Sequence, residues 1–200
     1  MAGDILDVSW EALQDIGFFQ VFATDDIINA VLEYEEPKFI SGSGSGEPEG
    51  VLTGADTTTA VAGVTLDGIY DLVATLNALY HPGAAFLMQR ATSLVIRKLQ
   101  RQANLFEPVF TRVNGQDYLL GYPVEYSSSM PSATGSTGTK PIVFGDFKRG
   151  FVIGDRGGSG INVKILDQPK AKEGITSLLS YRRTDSRVRR SEALKAYVLA

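Results

Sequence analysis

Pro141-Ile142-Val143-Phe144-Gly145-Asp146-Phe147-Lys148-Arg149-Gly150-Phe151-Val152-Ile153 is the stretch on which the fold turns. Its two apolar runs, 141–144 and 150–153, have the length and the β-branched or aromatic content of strands. Gly145-Asp146 between them is turn chemistry. Strand candidates continue on both sides, at 85–88, 109–113, 118–120 and 124–126 upstream and at 161–165, 176–183 and 194–199 downstream. Val113-Asn114-Gly115-Gln116 reads as a hairpin turn. The Ser, Gly, Thr and Pro of 127–139 predict an exposed, mobile loop.

Helices fill the front of the chain. Ser9 is placed to cap a short helix with Leu13 and Ile16 on its apolar face. Phe18, Phe19, Phe22, Ile27, Ile28, Val31, Leu32 and Phe39 then recur at helical spacing, with acids on the other face. Thr24-Asp25-Asp26 offers a second start, and Pro37 should end or kink the helix near Glu36. Residues 65–80, with Thr65 as cap and Leu66, Ile69, Tyr70, Leu72, Val73, Leu76 and Leu79 inward, form an amphipathic helix that His81-Pro82-Gly83 stops. Thr92 or Ser93 opens another through Gln102, with Leu94, Val95 and Leu99 inward. The front is mainly helical and the remainder β-rich.

Two hundred residues, 44% hydrophobic and 21% charged, suit one large domain or two small ones of a soluble protein. With no cysteine and one histidine, the chain has no disulfide, thiolate metal site, cysteine nucleophile or histidine metal cluster, so neither metal nor cofactor is expected. No apolar run reaches the roughly 18 residues of a membrane span, and the first twenty residues are acidic, unlike a signal peptide.

The net charge of −4 hides a gradient: −11 over residues 1–60, zero over 61–147 and +7 over 148–200. An acidic front and a basic back fit either intramolecular pairing or head-to-tail attraction between copies. A pI near 5.1 argues against DNA binding by the arginine-rich end.

Catalytic frames are weak. Gly42-Ser43-Gly44-Ser45-Gly46 matches the Gly-x-Ser-x-Gly elbow letter for letter, yet follows a helix, where an elbow joins strand to helix. The same order, the missing lysine and Glu47 and Glu49 argue against a phosphate loop, leaving a turn or linker. His81 sits in a helix-stopping turn, solvated or capping. Asp146 and Asp155 are turn and ion-pair material before they are a carboxylate pair. The expectation is a protein that is not an enzyme.

Four stretches in order resemble the major capsid proteins of tailed bacteriophages, the Hong Kong 97 fold. They are Phe39-Ile40-Ser41-Gly42 running into Gly44, Pro48 and Gly50; Leu119-Leu120-Gly121-Tyr122-Pro123-Val124 with Met130-Pro131 beyond; 141–147 continued by 150–153 and Asp155-Arg156; and Arg182-Arg183-Thr184-Asp185 through Glu192-Ala193-Leu194. The resemblance implies an α+β chain with a long spine helix and a β-sheet in a peripheral domain (5–50 and 160–190), and an axial domain of central sheet flanked by helices (51–159 and 191–200). It implies a structural head subunit of a tailed phage or prophage that self-assembles into the icosahedral shell enclosing the genome. An encapsulin-like compartment shell is the alternative.

The implied partners are other copies in pentamers and hexamers, with scaffold, portal or decoration proteins. The genome is enclosed without sequence-specific binding, no membrane is involved, and the location is the virion after assembly in the bacterial cytoplasm. Glu33, Glu35, Glu36, Arg182, Arg183, Arg187, Arg189 and Arg190 are candidate subunit contacts, and Gly42, Gly44, Gly46 and Gly50 a candidate hinge. The arginines equally fit pairing with the glutamates inside one subunit. Family members usually carry an N-terminal arm and a long hairpin before the spine helix. A chain starting almost at the spine is expected not to close stable shells alone, and to show no cross-linking.

Overall fold

The structure, a computed structural model, describes residues 2–15, 19–58, 60–102, 108–156 and 160–200, without the side chains of 2, 13–15, 19 and 20. Ile16 and Phe18 therefore lie outside the described residues, as do the side chains of Leu13 and Phe19. In chain order the elements are β1 (Ala2–Ser9), α1 (Trp10–Asp15), α2 (Phe19–Ser41), α3 (Val51–Gly54), β2 (Asp56–Thr57), α4 (Leu66–Ala74), β3 (Ala85–Met88) and α5 (Arg90–Gln102). There follow β4 (Phe110–Val113), β5 (Gln116–Leu119), β6 (Tyr122–Tyr126), β7 (Ile142–Gly145), α6 (Phe147–Gly150), β8 (Phe151–Asp155), β9 (Asn162–Leu166), β10 (Ile175–Arg182), β11 (Thr184–Val188) and β12 (Leu194–Tyr197). Contacts divide the chain into two compact units, 1–38 with 153–185 and 39–152 with 186–200.

The first unit is built on the antiparallel sheet β1-β10-β9. β1 and β10 pair over eight positions, from Ala2 with Arg182 to Ser9 with Ile175. Ser9 also accepts the Ala12 N–H at 3.3 Å, capping α1 as its hydroxyl suggests. α2 buries Ala23, Ile27, Val31 and Glu35 at four-residue spacing, one narrow stripe of a helix. Ala23 and Ile27 pack with Val8 and Leu178 of the sheet. On other faces Val21, Phe22, Leu32 and Tyr34 are exposed, and Ile28 is half-buried.

α2 runs unbroken through both expected interruptions, at Thr24-Asp25-Asp26 and at Pro37. Proline removes one N–H from the ladder, but Ile40 in the last turn is buried with Val51 and Leu52, which holds that turn in place. The same packing puts the first unit boundary at 38/39, ahead of the 50/51 edge expected from sequence.

The second unit holds a seven-stranded sheet in the order β2-β12-β7-β3-β6-β5-β4. β3 and β6 are parallel, as are β2 and β12, and the other pairs are antiparallel. All four residues of β7 are buried, because it is covered on both faces. Ile142 and Phe144 join Ile69 and Leu72 of α4, Phe86 of β3 and Ile96 of α5, whereas Val143 joins Ile40, Val51, Leu52 and Met130. The Phe86 and Phe144 rings are 4.5 Å apart, with Tyr122 edge-on to Phe144 at 5.0 Å.

Two hairpins turn on paired left-handed residues, Asn114-Gly115 (φ 50° and 85°) and Leu120-Gly121 (φ 51° and 82°). Leu120 is thus a turn residue instead of the end of a strand. Other departures are local. The helix expected over 65–80 stops at Ala74, and Asn77 accepts the Leu79 N–H to start a 3-10 turn at Ala78–Gly83, which buries Tyr80 and leaves Leu79 exposed. α5 starts at Arg90, ahead of Thr92 and Ser93, and Leu94 faces solvent. Segment 127–140 is anchored, with Met130 and Ala133 buried, Lys140 Nζ donating to the Leu52 carbonyl and Gly138 N–H to that of Leu199. β1, β2 and β11 had no counterpart in the sequence reading. Among the described residues no helix is long and apolar enough to cross a membrane.

Candidate functional site

The charged side chains fall into separate clusters. In the first unit, Arg182 at the end of β10 donates through one guanidinium nitrogen to Glu35 on α2 at 2.9 Å and through the other to Asp155 at 2.7 Å. Glu35 is 4% exposed, and burial pushes its carboxyl above the usual range although Arg182 opposes the shift. Asp155 moves the other way, held below the usual range by its Arg182 hydrogen bond. Glu35 Oε1 and Arg182 Nε are buried without a hydrogen-bond partner. Glu35 and Arg182, candidates both for contacts between subunits and for pairing inside one, pair with each other within this chain.

In the second unit, Lys148, Arg149, Arg189 and Arg190 line an open cleft of about 710 Å³ with Pro82, Gly83 and Asp146. Asp146 accepts the Arg149 N–H at 3.2 Å, capping α6, and its other oxygen lies 3.4 Å from Arg149 Nε. Arg149 also donates to the Leu79 carbonyl. The N–H groups of Arg189 and Arg190 both donate to the Gly150 carbonyl, at 2.7 and 3.2 Å. Gly145 permits this layout: with φ at 155°, a Cβ there would stand 2.0 Å from the Ala193 carbonyl oxygen. The Gly-Asp-Phe string is thus a close-approach glycine, a cap and a half-buried phenylalanine packed against the core.

Of the other candidate contacts, Arg187 is 86% exposed and lies 3.7 Å from Glu49. Glu33 and Arg183 are exposed, without an ion pair among the described residues, and Glu36 is half-buried. The candidate hinge is a closed loop. Gly50 N–H donates to the Gly42 carbonyl at 2.9 Å, Ser43 bridges to Glu49, and Thr53 Oγ1 also donates to Gly42. Gly44 and Gly46 have positive φ, and a Cβ on Gly50 would meet Gly42 N at 2.5 Å.

Sequence reading missed Asp117, 6% exposed, which accepts the Tyr126 hydroxyl at 2.6 Å and faces Arg97 at 2.9 Å. Arg97 also stacks on the Phe110 ring at 4.2 Å. Alternation along β5 puts Asp117 on the same buried face as Leu119, and that was the available signal.

No catalytic frame forms around these groups. His81 is half-buried, neither solvated nor a simple cap. Nε2 lies 3.1 Å from the Leu76 carbonyl, so it carries the proton, and Nδ1 accepts from the Tyr122 hydroxyl at 2.7 Å. With both nitrogens committed, the only histidine is no base for Ser43 or Ser45, which make turn bonds in their own loop. Asp146 and Asp155 serve a cap and an ion pair, each with its own arginine.

The chain is thus an α+β protein with a long helix, an antiparallel three-stranded sheet, a mixed seven-stranded sheet and charge clusters that hold backbone in place. Residues 2–199 match the phage capsid family, and the chain belongs to that family. Its function is that of a major capsid protein with the Hong Kong 97 fold. Among solved structures it is similar to the capsid of an empty GTA particle (24% identity, TM-score 0.82, 99% of this chain and 72% of that one). It is similar to a Gordonia phage Cozz chain (16%, 0.66, 100% and 69%) and to the holo-SrpI encapsulin complex from Synechococcus elongatus PCC 7942 (18%, 0.69, 98% and 72%). Likeness at these identities is likeness of fold. No curated protein matches the sequence.

Proposed function

We propose that this chain is the repeating head subunit of a tailed phage or prophage, assembled in the bacterial cytoplasm and working without turnover of any substrate. The observation that carries this reading is the family match across residues 2–199. The unit 1–38 with 153–185 is assigned as the peripheral domain and the unit 39–152 with 186–200 as the axial domain. Glu33, Glu36, Arg183, Arg187, Arg189 and Arg190 remain as subunit contacts, while Glu35 and Arg182 hold the peripheral unit together. The Gly42–Gly50 loop is the hinge segment, flexing about Gly44 and Gly46 with its base closed. Scaffold, portal and decoration proteins are the further partners, and the genome is enclosed without sequence reading.

The test is to express the gene's complete reading frame in bacteria and image the sedimenting fraction. Closed shells of regular size support the proposal, and a protein that never sediments overturns it. The likeness to an encapsulin favours a second reading, a compartment around a protein cargo. Shells that copurify with one enzyme and no nucleic acid would select it.

A further inference from the structure

The cleft of Lys148, Arg149, Arg189 and Arg190 is the densest positive feature described in a chain of net charge −4. Only Arg149 has an acid, through Asp146; Lys148, Arg189 and Arg190 are exposed and have no ion pair among the described residues. Their backbone is fixed by the α6 cap and the two bonds to Gly150, so the four cations face a common space from a rigid base.

The matching negative feature is the outer face of α2. Asp25, Asp26 and Glu33 are exposed and without an ion pair among the described residues, and Phe22 and Leu32 on the same turns are 61% and 45% exposed. Asp25, Asn29 and Glu33 follow each other at four-residue spacing along one line, about 12 Å from first to last.

We propose that the cleft receives the Asp25, Asp26 and Glu33 face of α2 from a second copy of this chain. Charge complementarity selects that occupant: the acids are concentrated in residues 1–60 and the free cations beyond 148, so one chain carries both halves of a head-to-tail contact. Duplex nucleic acid fits less well, because the acidic remainder of the surface repels phosphate. The contact deepens the capsid reading, on which it rests, by naming which faces meet.

The test mixes natural-abundance and ¹⁵N-labelled protein, couples amines to touching carboxylates with a carbodiimide, and maps the links by mass spectrometry. Links from Lys148 to Asp25, Asp26 or Glu33 joining one labelled and one unlabelled chain are expected. R189E/R190E should cut their yield and the sedimenting fraction about tenfold, since each opposed pair turns repulsive. Adding D25R/D26R to that variant should restore sedimentation to within about twofold of wild type. Links that stay within one chain, or an unchanged yield in R189E/R190E, overturn the contact and leave the capsid reading standing. Wild-type retardation of duplex DNA that R189E/R190E abolishes, with sedimentation unaltered, also overturns it in favour of nucleic acid. Wild-type product of the complete reading frame that never self-associates overturns the contact and the capsid reading together.

Discussion

Arg182 stands between two acids with opposite electrostatic fates, Glu35 at 2.9 Å and Asp155 at 2.7 Å. Glu35 is buried and held only through one oxygen, and so carries the cost of desolvation. Asp155 is more open and keeps the benefit of the shared guanidinium. The consequence is asymmetric. Arg182→Met should destabilise the first unit by about 3–5 kcal/mol, because it strands a buried carboxylate. Arg182→Met combined with Glu35→Leu should recover most of that loss. Urea unfolding followed by the fluorescence of Trp10, the only tryptophan, whose indole donates to Thr176 in the same unit, measures both.

Asp117 predicts acid sensitivity in the second unit. Burial alone would raise its carboxyl, but the Tyr126 hydroxyl and the Arg97 and Arg112 guanidiniums outweigh burial and hold it below the ordinary 3.8. A lowered value means stability that is present above pH 3.8 and lost as pH falls through the folded-state value. Asp117→Asn should reduce stability by about 1–3 kcal/mol at pH 5 and flatten the decline below pH 4. Circular dichroism during urea unfolding at pH 5 and pH 3 reads both effects; an equally steep decline in the variant would remove Asp117 from the account.

Gly145→Ala should cost at least about 3 kcal/mol, since added strain comes with a backbone clash that no side-chain rotation relieves. The expected readout is a large fall in melting temperature or protein recovered only in inclusion bodies. Gly154→Ala, where a Cβ meets nothing within 4 Å, is the control and should fold normally.

In the glycine loop the two ends should differ. Gly46→Ala meets open space and carries only its positive φ, about 1 kcal/mol. Gly50→Ala drives a methyl into Gly42 and the Ile40 carbonyl and should cost more, by shifting the loop base. Differential scanning calorimetry of both variants tests the order.

Legibility followed burial. β3 and β7 could be read because each is a short apolar run bounded by turn residues, and α2 only in part, since Ile27 and Val31 are buried whereas Phe22 and Leu32, read on the same face, are exposed. β1 could not, since Gly3, Asp4 and Asp7 dilute its pattern and the strand exists through an eight-position pairing with a segment some 170 residues away. β11 failed similarly: Thr184-Asp185-Ser186-Arg187 has no apolar face. Leu79 departs because a cap at Asn77 starts a new turn, and Leu94 because the buried face of α5 is made by Thr92, Ser93 and Ile96. For the candidate contacts, charge type was legible and partner was not. Nothing local distinguishes Arg182, aimed at Glu35, from its neighbour Arg183, which faces solvent.

The strand order also bears on synthesis. β12, at Leu194–Tyr197, is inserted between β2 and β7, and β1 waits for β10 made long after it. Neither unit can close while the chain is still growing past its middle, so a half-made polypeptide on the ribosome holds open sheet edges beside those of other nascent chains. The second unit's sheet is therefore joined into one only once residues 194–197 have been made, which places its closure late in synthesis.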